Sequence, residues 1–409
     1  MTLNLDYVRA QFPALAKNDF VFLDNAGGSL VPQVVADRVA EHLTMTPVQH
    51  GATYRISADA TNRLKTAQAD MAAFINAQRP EELVFAPSTT AMLRILGHCY
   101  HSILKPGDQV IVSNSEHESN FGPWQRLKDH GIEVIIWPID TTTWRLEPET
   151  LKSLISDKTK LVCFNHVSNL VGTINPVKEI TTLAHDHGAK VVVDGVAAAP
   201  HMSVDVQDLD VDYYIFSCYK TFGPHCAAFY GKYDNLLALP QQNHSFIGME
   251  ETAYKLQPGN ANFELSWGCG GIIDYLSLLG LHHGSNSESR AQNCRHAYDV
   301  ILDHERTLSY HLLSYLEGVA DVTLIGKGSD EVEARVPTIS FTHNKKSSRS
   351  IVEAIDPFDI GVRHGDFYAR QLSTHLGLDA ADGVVRISMA HYNTMDEMDR
   401  LLSHLKTVL

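Results

Sequence analysis

The sequence predicts an α/β protein, with a mainly parallel sheet of seven-stranded type in a large domain and a smaller α+β domain after it. Three observations predict this. From about residue 82 to 240 short apolar runs alternate with helical patterns, which implies parallel strands joined by helical crossovers. Beyond about 240 that alternation stops, and short strands separated by helices follow. The length of 409 residues is long for one core, so two domains are expected, at 20–270 and 271–409, with segment 1–19 packing on the smaller one.

The elements follow in order. Residues 5–17 place Leu5, Val8, Phe12 and Leu15 at helical spacing, and 20–24 reads as a strand. Asn25-Ala26-Gly27-Gly28-Ser29 supplies a flexible turn, and Pro32 opens a helix through about 44. Helical periodicity spans 57–77. Leu83-Val84-Phe85 is a strand, and Pro87-Ser88-Thr89-Thr90 turns it into a helix through His101. Strands follow at 109–112, 133–137, 161–164, 191–193 and 214–216, with a helix around 177–187. Residues 241–270 read as loop-rich, and 271–318 as one long interrupted helix. Short strands at 338–341, 360–363 and 384–388 lead to an amphipathic helix over 394–409.

Composition narrows the function. A net charge of -15 argues against a broad nucleic-acid or anionic-membrane surface. No apolar run approaches the ~20 residues of a membrane span. Met1-Thr2-Leu3-Asn4-Leu5-Asp6 lacks the basic and apolar regions of a signal peptide, so a cytoplasmic location is expected. The six cysteines form no C-x-x-C pair and read as reduced, buried thiols. His98, Cys99 and His101, or His282 and His283, match no zinc spacing, and no metal is expected.

Two apolar runs carry the chemistry. Val191-Val192-Val193 ends in Asp194, and Tyr214-Ile215-Phe216 leads to Ser217-Cys218-Tyr219-Lys220 and a rigid Phe222-Gly223-Pro224. A lysine and a carboxylate at the ends of two neighbouring buried strands suit pyridoxal phosphate. The lysine forms the Schiff base and then shuttles protons. The aspartate keeps the pyridine nitrogen protonated. Ser88, Thr89 and Thr90, where a strand gives way to a helix, suit a phosphate. Arg386, inside the apolar 384–388, needs an anion, and a substrate carboxylate gripped bidentately would serve.

Further motifs keep a fixed order: Leu23-Asp24-Asn25-Ala26-Gly27-Gly28, Glu116-His117-Glu118-Ser119-Asn120, Asn165-His166-Val167-Ser168-Asn169, Gly361-Val362-Arg363-His364-Gly365 and Val385-Arg386-Ile387-Ser388. With the Asp194 and Lys220 runs, this series resembles the class V aminotransferase family of fold-type I pyridoxal-phosphate enzymes. Within that family it is most similar to the cysteine desulfurase and selenocysteine lyase branch. The resemblance implies that His117 stacks on the pyridine face and that Asn169 contacts the ring oxygen. A further phosphate contact is expected from Ser217, and the Tyr219 hydroxyl can donate to the phosphate as well. The resemblance assigns Asn25, Arg363, His364 and Tyr368, with Arg386, to the substrate, and it implies a homodimer.

Three departures alter the expected reaction. The catalytic cysteine of the branch is replaced by Tyr368, and no cysteine follows Cys294. A tyrosine cannot take sulfur as a persulfide. Ala197 stands where a glutamine is usual, and Tyr219 where a histidine is common. The expectation is therefore an enzyme acting on an amino acid, a carbon–sulfur or carbon–selenium β-lyase. An aminotransferase, an epimerase, a desulfurase with a relocated thiol such as Cys269, or a non-catalytic scaffold are the alternatives. No sulfur acceptor protein can be inferred.

Overall fold

A computed structural model describes residues 2–379 and 382–409. Apolar runs buried on both faces form its central sheet. After β1 (Val21–Phe22), a short strand near the N-terminus, come β2 (Leu83–Ala86), β3 (Gln109–Ser113), β4 (Glu133–Trp137), β5 (Thr159–Asn165), β6 (Lys190–Asp194), β7 (Tyr213–Ser217) and β8 (Ala227–Gly231). The order across the sheet is β2-β8-β7-β6-β5-β3-β4. Strands β3 to β7 are mutually parallel, and β8 runs antiparallel to both β7 and β2. Ile111, Val162, Val193 and Phe216 enter the core on one face, while Val112, Cys163, Val192 and Ile215 enter the core on the other. Two buried faces explain why these strands read as continuous apolar runs rather than alternating ones.

The smaller sheet contains β9 (Val322–Ile325), β10 (Thr338–His343), β12 (Arg363–Gly365) and β13 (Val384–Ser388), in the antiparallel order β12-β13-β10-β9. Between them β11 (Ile360–Gly361) pairs in parallel with β1, which ties the N-terminal strand to the C-terminal part. Leu23, Ile339, Val385, Ile387 and Leu401 share this second core.

Several expected elements differ. Segment 5–17 forms two helices, Leu5–Ala10 and Pro13–Lys17, because Pro13 starts the second. Their Val8 and Phe12 are buried in the core of the larger part, while Arg9 forms an ion pair with Glu397 of the C-terminal helix. Strand β8 was not legible, since its alanines and glycine carry a weak strand signal. Segment 241–270 is not loop to its end, because a helix runs over Phe263–His282. Its run Gly268-Cys269-Gly270-Gly271 masked it. The glycines allow close helix packing: a Cβ on Gly271 would lie 2.8 Å from Val35 Cα, and one on Gly268 would lie 2.6 Å from Val39 Cγ2.

The helical region 271–318 is thus the end of that helix and a separate one, Arg290–Glu317. Residues 270 and 271, where the domain division was expected, are consecutive inside the first helix. The second helix joins the two cores. Its Cys294, Ala297 and Ile301 belong to the larger one and its Leu308, Leu312 and Leu316 to the smaller.

Candidate active site

The parallel strands end side by side, with Asn165 of β5 in register with Asp194 of β6, and Asp194 in register with Ile215 of β7. Ligands bind beyond the carboxyl ends of such strands. Here an open cavity of about 520 Å³ lies at that edge. Lys220 reaches it from a single 3-10 turn, Cys218–Lys220, that follows β7. Burial, joined by the nearby Arg386, brings the Lys220 ammonium down to about 8. Asp194 faces the same space, and Val196 N–H donates to its Oδ1 at 2.9 Å. Burial pushes its carboxyl up to about 6, against the pull of that N–H and of Lys220.

Ser88, Thr89 and Thr90 line the cavity at the start of helix Thr89–Ile103, with Ser88 as its N-cap. Thr89 Oγ1 lies 2.8 Å from Ser217 Oγ, which also lines the wall. Tyr219 lines it too, and its ring stacks on His225 with 4.7 Å between centroids. His117 enters from the loop after β3, and Asn169 from the loop after β5. Every residue assigned to the cofactor on sequence grounds is therefore at one cavity. Ala197 lines it as well, so the missing glutamine leaves a methyl group on the wall.

A second compartment, about 690 Å³, shares His117, Asn169, Tyr219 and Lys220 with the first. Arg363, His364, Tyr368 and Arg386 line it. Arg386 is only 2% exposed, and its guanidinium lies 3.6 Å over the Phe367 ring. Its Nη1 donates to Asn169 O and its Nη2 to Asp24 Oδ1, at 3.2 and 3.1 Å. Burial lowers its pKa to about 10, with Asp24 opposing the shift. Arg363 pairs with the other oxygen of Asp24 at 2.9 Å. Tyr368 is 70% exposed, holds a positive φ of 60°, and lies 5.3 Å from the His117 ring.

Asn25 is the exception among the assigned residues. It lines neither compartment. Its amide donates to Ser388 O at 2.9 Å and accepts from the Tyr392 hydroxyl, so its polar atoms hold the end of β13 in place. The neighbouring Asp24, which sequence reasoning left without a role, instead bridges the two arginines. Glu116 was missed in the same way. It is fully buried behind His117, accepting from Ser113 Oγ at 2.5 Å, Asn120 Nδ2 at 2.6 Å and Asn165 Nδ2 at 2.7 Å. Burial, then the charge of Asp194, raise its carboxyl to about 8. Its signal was four polar residues, Ser113-Asn114-Ser115-Glu116, directly after a buried strand.

All six thiols are buried, and none lines either compartment. Cys218, Cys226 and Cys269 converge, with Cys226 Sγ and Cys269 Sγ 3.1 Å apart. Among the described residues no carboxylate or imidazole joins this group. Cys269 sits in the core of the larger part rather than at a surface that a partner could reach.

The donor set suits pyridoxal phosphate. An amine of lowered basicity and a carboxylate for a pyridinium flank the cavity, and a helix start faces it with hydroxyls. Among the described residues, the buried Asn169 Oδ1 and Arg386 Nε have no hydrogen-bond partner. This architecture and site define a fold-type I pyridoxal-phosphate enzyme. The sequence model of the family described as aminotransferase class-V matches residues 21–401, and the chain belongs to that family. It is 38% identical to an aminotransferase-like protein of Gibberella zeae, covering 100% of this chain and 99% of that one. It is 34% identical to a cysteine desulfurase of Shigella sonnei, with coverage of 100% and 99%. Its fold matches the crystal structure of an Escherichia coli cysteine desulfurase (S-sulfonic acid form) with a TM-score of 0.84, at 25% identity and coverage of 100% and 99%.

Proposed function

We infer that the protein is an amino-acid β-lyase that cleaves a carbon–sulfur or carbon–selenium bond without a protein thiol. One observation carries this reading. The loop position that faces His117 holds Tyr368, while every native cysteine is buried away from both compartments. Pyridoxal phosphate on Lys220 supplies an electron sink for the substrate α-carbon. Ser88, Thr89, Thr90 and Ser217 hold its phosphate, and Asp194 pairs with its ring nitrogen. Arg386, aligned by Asp24 and flanked by Arg363, takes the substrate carboxylate. His364 and Tyr368 shape the space for the side chain. Lys220 takes the α-proton, and the β-substituent leaves with the bonding electron pair as a thiolate or selenolate. With cysteine as substrate, addition of water then gives pyruvate, ammonia and sulfide. The same reading includes a cytoplasmic homodimer.

The test is incubation of the holoenzyme with cysteine, cystine, selenocysteine and S-substituted cysteines, followed by mass spectrometry of products and of the protein. Pyruvate together with a released thiol, sulfide or selenide is the expected result, with no persulfide on any native cysteine. A stoichiometric persulfide, with alanine as product, would replace this reading with sulfur transfer by a relocated thiol.

A further inference from the structure

His117 caps the helix Glu118–Gln125 with its own ring. The backbone N–H of Ser119 donates to its Nδ1 at 3.0 Å, and the Ser119 hydroxyl lies 2.7 Å from the same nitrogen. A backbone N–H has no other role open to it here, so Nδ1 must offer its lone pair. A neutral imidazole that accepts at Nδ1 carries its proton on Nε2. With Nδ1 committed to Ser119, Nε2 is the ring nitrogen left for the cavity that His117 lines. The geometry points to Ser119 as a positioning residue: it fixes His117 as the Nε2–H form, so His117 meets the bound cofactor and substrate as a hydrogen-bond donor and a stacking face, and Lys220 alone carries protons.

The chemistry follows from that form. To act as a base toward the cavity, Nε2 would need a free lone pair and Nδ1 a proton. That proton would face the Ser119 N–H, setting donor against donor and leaving the helix uncapped. To act as an acid, the neutral ring would have to become an imidazolate anion, and a neutral imidazole N–H is too weak an acid for that at working pH. Its charged surroundings are Lys220, Arg386 and Asp366, and Tyr368 lies across from the ring. Burial and the two cations hold the imidazole down to about 4, with Asp366 opposing, so the ring stays neutral at working pH. The backbone N–H two places beyond the histidine thereby decides what the histidine can do.

This inference rests on the reading of the cavity as the cofactor site, but its main test needs no turnover. Holoenzyme labelled with 15N in histidine is compared with the His117→Gln variant, whose missing signals identify His117. Two-bond 15N–1H correlations then show which nitrogen is protonated. A neutral ring with the proton on Nε2, unchanged between pH 6 and 9, is expected in the wild type and in Ser119→Ala, which keeps the backbone N–H. Ser119→Pro removes that N–H at a first-turn position that tolerates proline, and should release a mixture of tautomers. A proton on Nδ1, or a charged ring at pH 7, overturns the inference.

The kinetic arm uses the amide of glutamine, which donates a hydrogen bond but carries no proton. His117→Gln, which keeps a donor, should lose only about tenfold in kcat, and His117→Ala about a thousandfold, in line with the roughly 10²–10³ lost with one preorganised hydrogen-bond donor. Equal losses in the two variants overturn the claim that His117 moves no proton. If the wild type turns over none of the sulfur or selenium amino acids, the lyase reading falls, and the tautomer measurement still decides this inference.

Discussion

Lys220 owes its lowered basicity to burial first and to Arg386 second, while Asp194 and Asp24 oppose the shift. Only the neutral amine can add to the cofactor's aldehyde. Loading of the apoprotein should therefore speed up as pH rises and level off just above 8, well below the usual lysine range near 10.5. The growth of cofactor absorbance at a series of pH values measures this, and a rate still climbing at pH 10 would contradict it. Arg386 and Tyr368 differ in the same physical terms. The arginine is buried and makes charge-assisted contacts, whereas the tyrosine is largely exposed. Arg386→Ala should raise KM about a hundredfold, because losing one partner of a buried charged contact costs roughly 2–5 kcal/mol. Tyr368→Phe removes one neutral hydroxyl and should change KM by only about fivefold, in line with a hydrogen bond worth roughly 1 kcal/mol. Steady-state kinetics of the two variants in parallel decides the ranking.

At the scale of elements, the ends of β5, β6 and β7 act as one rigid shelf for the site. Gly195, directly after β6, shows how tightly it is built. A Cβ there would lie 2.1 Å from Cε1 of Tyr214, whose hydroxyl is 2.9 Å from His166 Nδ1. The Tyr214 ring is buried and tethered, so it cannot step aside. Gly195→Ala should therefore destabilise the fold by roughly 1–3 kcal/mol and loosen Asp194. A lower melting temperature together with weaker cofactor retention is the expected outcome, and an unchanged protein would show that the shelf can yield. Asp194 and Lys220 were legible in the sequence because Asp194 ends a buried strand and Lys220 follows another by a single turn, and the chain order places both at the ligand edge. Asp24 and Asn25 were not. Their partners Arg386 and Ser388 lie more than 360 residues away, and no local pattern encodes such a pairing. The start of helix Phe263–His282 was hidden for a different reason, since its glycines serve packing against Val35 and Val39 rather than helix propensity.

At the scale of the whole molecule, the two parts are held together by shared elements. Helix Arg290–Glu317 runs through both cores, and β1 from the N-terminal segment pairs with β11 within the smaller one. The division expected at 270 falls inside helix Phe263–His282, and helix Arg290–Glu317 has residues in both cores. Such joining explains why the N-terminal segment contributes to the larger core through Phe12 and to the smaller part through Arg9. It does not explain the apolar side chains left outside. Phe246 is 83% exposed, and Leu43, Met45, Tyr54 and Met249 are exposed as well. Among the described residues, no helix is long and apolar enough to cross a membrane. Segment 240–262 holds only one short turn of helix, and a groove lined by His50, Phe85, Tyr254 and Phe263 runs beside it. Large exposed apolar side chains around such a segment fit a surface covered by a second copy of the chain. Light scattering at micromolar concentration should give the mass of a dimer. The paired change Phe246→Asp and Met249→Asp places two charges on the covered surface and should shift the protein toward monomer, with the cofactor retained because the cavity residues are untouched. A wild-type monomer, or a dimer indifferent to both charges, would place the contact elsewhere or remove it.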